Sequence, residues 1–169
     1  MNIVVFINPQ QVINEYWDAV VTNMSENDKA GIEFALQLKE KKGGKVTAVS
    51  IGTEDADTAL REALAMGVDD AALMWDEDAT NDYTKKVFVA LQKVSGDVYI
   101  SGRDDVEMED VAEQLGAAKK QCTEVDLNQF SEQVPLFVFA QASAFDPRHM
   151  SVGGVFSAYK KEIEMIPSL

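Results

Sequence analysis

Cysteine and histidine are nearly absent from this sequence. Its 169 residues include one cysteine, Cys122, and one histidine, His149. A single cysteine cannot form a disulfide within the chain, which is typical of proteins from a reducing compartment. Transition-metal sites need clustered Cys or His ligands, and nucleophilic catalysis needs a Ser or Cys beside a His; neither arrangement is identifiable here. We therefore predict no catalytic residues and no metal site, and we interpret Cys122 as a packing residue.

Basic residues and long apolar runs are also scarce. The 15 Lys and Arg residues are outnumbered by 29 Asp and Glu, and the net charge of −14 argues against binding to nucleic acid or anionic membranes. An acidic surface could steer a basic protein partner, although solubility alone also explains the charge. The sequence shows no signal peptide and no apolar stretch of membrane-spanning length, so we expect a cytoplasmic protein. The length favours a single domain over residues 1–169.

A helix, a glycine and a buried strand follow one another in residues 56–75. Apolar residues at positions 56, 59, 60, 63 and 64 lie on one face of a helix with 3.6 residues per turn. Gly67 follows at the place where helices commonly end on a residue of positive φ. The run AALMW is typical of a strand that is covered on both faces. This segment predicts half of a βαβ unit.

Strand and helix patterns alternate four times along the chain. The predicted strands cover residues 3–7, 45–51, 71–75 and 97–101, and the predicted helices lie between residues 25 and 43, 55 and 66, 83 and 94, and 108 and 115. Residues 10–24, which include Tyr16 and Trp17, predict a loop or a short edge hairpin, and strand-like runs recur near 121–127 and 134–140. The alternation predicts an α/β fold with three layers, in which helices cover both faces of a Rossmann-like, doubly wound and mostly parallel sheet.

The carboxyl ends of the predicted strands mark where a ligand would bind in such a sheet. Gly52 and Gly102 follow two of these strands, and helices begin nearby at about residues 25–28, 53–55 and 104–107. Glycine permits close approach and helix N-termini attract anions, so the arrangement is compatible with a nucleotide-type cleft. The glycines could equally serve tight turns only. Neither GxGxxG nor GxxxxGK[ST] occurs, so such a cleft would be of another kind.

Several phrases of the sequence resemble the electron-transfer flavoprotein β-subunit family. The phrase ALREALAMGVDDA is similar to the family's LREALAMGADRA, and EFALQLKEKKGGKVTAVSIG resembles EEALRLKEKHGGEVTVVSVG. Near the C-terminus, AFDPRHMSVGGVFSAYKKEIE resembles LNEPRYPSLPGIMKAKKKPIE. Because the matches keep their order and extend across most of the chain, the sequence is identified as a shortened member of this family.

The resemblance implies a heterodimer in which an α-subunit carries most of the FAD contacts and the β-subunit holds a structural AMP or a second FAD. Carried over position by position, with the glycine that follows the second strand, the predicted cofactor-binding residues are Phe6, Ser25, Asp28, Ile51, Gly52, Gly102, Arg103 and Asp104. The segment GRDDVEMEDVAEQLG is shorter and more acidic than the family's GKQAIDGDTGQVGPMLAELLG. Acidic side chains repel phosphate, so we expect this nucleotide site to be degenerate, although the same acids also suit an ordinary helix N-terminus.

The C-terminal segment, at about residues 141–169, carries the counterpart of the family's partner-docking loop. Pro147 and Arg148 match the family's EPR, and Val152 takes the place of the leucine that anchors a flavin dehydrogenase. Gly153 replaces the usual proline, which predicts a more mobile loop; a plain surface turn is the alternative. The family's hairpin after the fifth strand is compressed to VDLNQFSEQVP, and the family continues beyond KKEIEMIPSL into an arm around the α-subunit. We therefore expect a weaker hold on that subunit.

These observations predict an electron-transfer flavoprotein β-like subunit that does no chemistry of its own. It would support electron transfer by an FAD-containing α-like partner and present a docking surface to a flavin dehydrogenase, and AMP is not expected to be retained. Two alternatives stay open. One is a stand-alone adenine-nucleotide-binding domain like the universal stress proteins, and the other is a scaffold without a redox function.

Overall fold

A computed structural model describes residues 1–14, 16 and 19–169, with the backbone alone described for residues 11–14 and 19–23. The strands of the described chain are β1 (Asn2–Phe6), β2 (Gln10–Asn14), β3 (Ala19–Asn23), β4 (Lys45–Gly52), β5 (Asp70–Trp75), β6 (Val98–Ser101), β7 (Ala118–Gln121), β8 (Leu136–Phe139) and β9 (Glu164–Ile166). Its helices are α1 (Glu26–Lys42), α2 (Glu54–Met66), α3 (Tyr83–Val94), α4 (Val106–Gln114) and α5 (Val152–Lys160).

Seven strands of the described chain form one sheet, in the order β7-β8-β6-β1-β4-β5-β9. Each neighbouring pair in it is parallel. The chain runs from β1 to β4 and β5 on one side and then to β6 on the other, so the winding reverses at β1. The carboxyl ends of β1, β4 and β6 consequently lie side by side at a topological switch point. The predicted doubly wound, mostly parallel α/β fold is confirmed.

The side chains of β1 and of Ile7, the residue that follows it, alternate between two hydrophobic cores. Ile3, Val5 and Ile7 belong to the core that includes α1, α2 and α5, whereas Val4 and Phe6 belong to the core that includes α3 and α4. All five residues are at most 2% exposed. A strand that is buried on both faces needs apolar residues at successive positions, which explains the continuous run IVVFI.

The ends of α1 and α2 agree with the sequence signals. Ser25 caps α1, because its Oγ accepts a hydrogen bond from the backbone N–H of Asp28 at 3.0 Å. At the end of α2, Gly67 has a φ of 120°, and its N–H donates to the carbonyl of Leu64 at 3.1 Å. Other residue types rarely adopt that φ, so the glycine stop is a conformational requirement.

The segment after β1 forms one of the two structures expected from the sequence. Strands β2 and β3 pair antiparallel, with Gln10 opposite Asn23, so residues 10–24 contain a hairpin. Tyr16 lies between the two strands, and Trp17 lies outside the described residues.

The strand expected near residues 121–127 is wrong, and residues 125–135, where the resemblance implied a compressed hairpin, contain no strand. Strand β7 ends at Gln121, earlier than the predicted run, and it pairs with β8 in parallel, with Ala118 opposite Leu136. The connection packs Leu127 and Phe130 against the core on the α1 side of the sheet. Because β7 and β8 are parallel, the connection has to return to the starting edge of the sheet before β8 begins, which a hairpin does not do.

The C-terminal segment contains a helix and a strand that the sequence patterns did not reveal. Helix α5 packs on α2, and β9 pairs in parallel with β5, with Leu73 opposite Met165. Among the described residues, no helix combines the length and the apolar character needed to cross a bilayer.

Candidate functional site

A cleft lies at the carboxyl ends of β1, β4 and β5, next to the N-terminus of α2. Its volume is about 360 Å³. Two of the predicted cofactor-binding residues, Ile51 and Gly52, line it. A third, Phe6, is 2% exposed at the end of β1, with its ring centroid 6.4 Å from that of the lining residue Tyr83. The cleft thus lies beyond the carboxyl ends of the strands, on the β4 and β5 side of the switch point at β1.

Asp28 is buried where α1, β1 and β6 meet. Its Oδ2 accepts a hydrogen bond from the N–H of Asn8 at 2.9 Å, and the N–H of Gly102 also donates to the carboxylate. Burial raises the pKa of Asp28 to about 7, against the lowering effect of these hydrogen bonds and of Arg103. The predicted cofactor-binding residues Ser25 and Asp28 therefore bond to groups of the protein itself.

Gly102 allows α1 to approach the end of β6 closely. A Cβ atom at this position would lie 2.4 Å from Oδ1 of Asp28 and 2.6 Å from its backbone nitrogen. No larger residue fits without moving the start of α1. The sequence suggested either a tight turn or room for a ligand, and the structure adds a third role, the contact between α1 and β6.

Arg103 already contacts neighbouring residues of its own chain. Its guanidinium carbon lies 4.8 Å from the ring centroid of Tyr83, and its Nη2 lies 2.6 Å from Oδ2 of Asp105. Asp105 in turn caps α4, because its Oδ1 accepts the N–H of Met108 at 3.0 Å. A carboxylate of the chain thus occupies the position at the start of α4 where a phosphate would bind.

The remaining predicted residue, Asp104, lies apart from the others. It is exposed, and its Oδ2 accepts a hydrogen bond from the side chain of Gln121, at the end of β7, at 2.6 Å. Sequence reasoning missed Tyr83, which carries the stacking contact, and the specific role of Asp105. A signal for Asp105 existed, since an Asp three residues before Met108 has the spacing of an N-cap.

The N-terminus of α2 borders the cleft without a side-chain cap. Thr53 stands at the N-cap position, and its side chain makes no hydrogen bond to the helix. The first N–H groups of a helix have no intrahelical partner and can receive an anion. However, the same cleft is lined by four acidic residues, Asp55, Asp76, Glu77 and Asp78. Their charges oppose the binding of a phosphate.

Lys86, the buried cation beside these acids, is already paired. Its Nζ lies 2.8 Å from Oδ2 of Asp76 and donates to the carbonyl of Asp78 at 2.7 Å. The bond from Lys86 is the largest cause of the lowered pKa of Asp76. The residues that line the cleft in the described chain include no Lys or Arg. These residues do not fit the phosphate of AMP.

Val152 begins helix α5, so the loop expected at this point is instead the start of a helix. Ser151 caps the helix, with its Oγ accepting the N–H of Gly154 at 2.8 Å. This cap and the contact with α2 order the segment despite its two glycines. Val152, Phe156 and Tyr159 are 77%, 67% and 74% exposed. Their spacing of four and three residues places them on one side of the helix, and we call these three residues the apolar row.

Arg148 joins the C-terminal segment to α1. Its Nε lies 2.8 Å from Oε2 of Glu33, and its Nη1 lies 2.6 Å from Oε1 of Glu40. Burial would raise the pKa of Glu33, but the hydrogen bonds from Arg148 and Gln37 hold it below the usual value. The neighbouring Pro147 is half-buried. The guanidinium thus supports the segment that leads to Val152.

Comparisons with known proteins find similar sequences over most of this chain. The family model described as "Electron transfer flavoprotein domain" matches residues 17–121. The electron transfer flavoprotein subunit beta of Thermoanaerobacterium thermosaccharolyticum is 30% identical over 176 residues, covering 88% of this chain and 68% of that protein. The subunit of the same name from Bacillus subtilis is 33% identical over 164 residues, covering 81% and 64%.

A relative from a reductase system is similar over a longer stretch. The acryloyl-CoA reductase electron transfer subunit gamma of Anaerotignum propionicum is 28% identical over 189 residues, which cover 94% of this chain and 70% of that protein. The chain thus spans about two thirds of the length of these three relatives.

Proposed function

The chain belongs to the electron transfer flavoprotein family, and on this premise we propose that it is a β-like subunit supporting electron transfer by an FAD-containing α-like partner. The observation that carries the proposal is the similarity to an electron transfer flavoprotein β-subunit over 88% of this chain. A second relative is an electron transfer subunit of a reductase. Because the relatives are electron-transfer subunits, the stand-alone nucleotide binder and the non-redox scaffold are not favoured.

The family membership implies a flavin in the complex. In the proposed arrangement the α-like partner holds most of the FAD, and this chain covers one side of it. The ion pairs that side chains near the cleft already form support this division of the cofactors between the two subunits. Arg103 is bound to Asp105, Lys86 is bound to Asp76, and the cleft itself is acidic. The chain's own AMP or second-FAD site is therefore degenerate in this proposal.

The apolar row is the surface proposed to dock a flavin dehydrogenase. Its three members are exposed on a helix, and the chain holds that helix against α2 and, through Arg148, near α1. Exposed apolar and aromatic side chains on a supported element suit a transient contact, because they gain buried area without ordering a flexible segment. Pro147 and Arg148 contribute to docking by supporting α5 in this scheme.

Purification tests the division of cofactors. The chain would be co-expressed with an electron transfer flavoprotein α-subunit, and the absorption spectrum and the nucleotides released by denaturation would be measured. We expect a yellow heterodimer with one FAD per pair and no AMP. Stoichiometric AMP or FAD bound to this chain alone would contradict the degenerate site, and failure to form a yellow complex with any α-like subunit would contradict the subunit role.

A charge placed in the apolar row tests docking. A panel of purified flavin dehydrogenases, each reduced by its own substrate, would donate electrons to the heterodimer. For the donor that works, Val152→Asp is expected to raise the KM for the heterodimer roughly tenfold, because a buried contact would have to accept a carboxylate. Val106→Asp is the matched control, since Val106 begins α4, is 81% exposed and belongs to another helix. Equal effects of the two variants would count against docking at α5.

A further inference from the structure

Helix α5 lies against α2 but buries few of its own side chains. Ala158 is its one buried residue in the described chain, at 3% exposure, and Val155 is half-buried beside it. A helix with so little buried apolar area gains little positional stability from hydrophobic packing. Other contacts must therefore set where α5 lies.

The first such contact is a close approach between α5 and α2. A Cβ atom on Gly154 would lie 2.5 Å from the backbone carbonyl oxygen of Ala65, near the end of α2. The adjacent Gly153 has no atom within 4 Å of the corresponding position. Only one of the two glycines is thus required for the contact between the helices, and it is the one that faces α2.

The second contact fixes the other end of α5. Nη1 of Arg61, on α2, donates to the carbonyl of Ala158 at 2.8 Å and to the carbonyl of Lys161 at 3.0 Å. One turn earlier on α2, Oδ2 of Asp57 accepts a hydrogen bond from Nε of Arg61 at 3.1 Å. The last carbonyls of a helix lack intrahelical donors and carry partial negative charge, so a guanidinium is well suited to them.

Arg61 and Gly154 together determine the orientation of the apolar row. Arg61 and Ala65 are four residues apart, so they lie on the same face of α2 and contact the two ends of α5. We propose that Arg61 and Gly154 are positioning residues for partner docking, which hold α5 so that Val152, Phe156 and Tyr159 meet the dehydrogenase in one fixed orientation. This inference rests on the proposed docking function.

Paired glycine variants test the inference in the complete heterodimer, with the electron donor found above. Gly154→Ala displaces α5 from α2, and we expect the KM for the heterodimer to rise roughly tenfold while kcat per FAD is unchanged, since the orientation is lost but the flavin is not touched. Gly153→Ala is the control, and we expect it to leave both constants unchanged. A general loss of folded complex would lower kcat per total protein without raising KM.

Variants of Arg61 provide an independent readout. Arg61→Gln removes the charge at the end of α5, and we expect a higher KM together with faster amide hydrogen exchange in residues 155–161 but unchanged exchange in β1 and β4. Arg61→Lys keeps the charge and should recover part of both effects, whereas Asp57→Asn leaves the two carbonyl bonds in place and should act weakly. These variants keep the proposal testable if Gly154→Ala does not fold.

The outcomes separate the inference from the function on which it rests. If Val152→Asp raises KM while Gly154→Ala and Arg61→Gln do not, the positioning role is wrong and the docking function stands. If Val152→Asp has no effect, the docking function is wrong and the inference falls with it. A matching rise in KM for Val152→Asp, Gly154→Ala and Arg61→Gln supports both.

Discussion

The raised pKa of Asp28 predicts that this residue's contribution to the stability of the fold increases as the pH falls from about 7 towards 4. The residue is 1% exposed, and burial raises its pKa from the ordinary 3.8 to about 7. Between these two values the folded state carries a proton on Asp28 and the unfolded state does not, so acidification favours the folded state. Glu33, Asp70 and Asp76 behave in the opposite way, because their pKa values are lowered in the fold. Their contribution to stability is lost as the pH falls below the ordinary values, 4.5 for Glu33 and 3.8 for the two aspartates.

The size of the effect follows from the two pKa values of Asp28. A pKa of about 7 lies about 3 above 3.8, and each pKa unit corresponds to about 1.4 kcal/mol, which gives about 4 kcal/mol. This contribution is fully present below pH 3.8 and is lost as the pH rises through about 7. Typical domains have a free energy of unfolding of about 5–15 kcal/mol, so the change is large enough to measure.

Urea unfolding between pH 4.5 and 8 checks this expectation. Asp28→Asn removes the titration and keeps an oxygen that can accept the N–H of Asn8. The free energy of unfolding of the natural protein, minus that of the variant, should fall by about 3–4 kcal/mol over this range. Asp110→Asn is the control, since Asp110 is exposed and bonds to the side chain of Gln114. A difference for Asp28→Asn that is flat or rises with pH would refute the dominance of burial over the hydrogen bonds to the carboxylate.

Two further variants, one of them with a matched control, test the contacts that join distant segments. Gly102→Ala should destabilise the fold by about 2 kcal/mol or more, because its Cβ would meet backbone atoms of α1, which cannot move as a side chain can; an unchanged urea midpoint would contradict this close approach. Arg148→Ala should lower the free energy of unfolding by about 2 kcal/mol, because the buried Glu33 loses its ion pair; this value is reduced for the partial exposure of Arg148. The control Glu40→Gln should lower it by less than about 1 kcal/mol. Equal costs in the same unfolding assay would show that Glu33 does not depend on this ion pair.

The sequence predicted the α/β core because its elements carry strong local signals. Strand β1 needs apolar residues on both faces, and α2 combines a regular apolar stripe with the glycine stop at Gly67. Helix α5 lacks such signals, since it contains two glycines and buries Ala158 alone among its described residues. Its position comes from Arg61 and Ala65 on another helix, and no local pattern reports a contact of that kind.

The candidate site was harder to predict, because its geometry depends on pairs that are distant in the sequence. The cap formed by Ser25 was visible from spacing, but the bonds from Asn8 and Gly102 to Asp28 require the folded sheet. Arg103 likewise lies at a position where the sequence predicted a residue that binds phosphate. Its stacking on Tyr83 depends on the packing of α3 beside α4, which the sequence does not specify.

The starts of three helices near the strand ends carry partners or acidic neighbours that compete with a phosphate. At α1, Oγ of Ser25 accepts a hydrogen bond from a backbone N–H that could otherwise bind an anion. At α4, the carboxylate of Asp105 accepts the corresponding N–H and also forms an ion pair with Arg103. A phosphate at α4 would have to displace a carboxylate that is already hydrogen-bonded and paired, so little net energy would be gained. At α2 the N–H groups lack a side-chain cap, but the cleft beside them is acidic. The electrostatics of the strand ends therefore favour the protein's own side chains over a phosphate, which agrees with the proposal that an α-like partner holds the flavin.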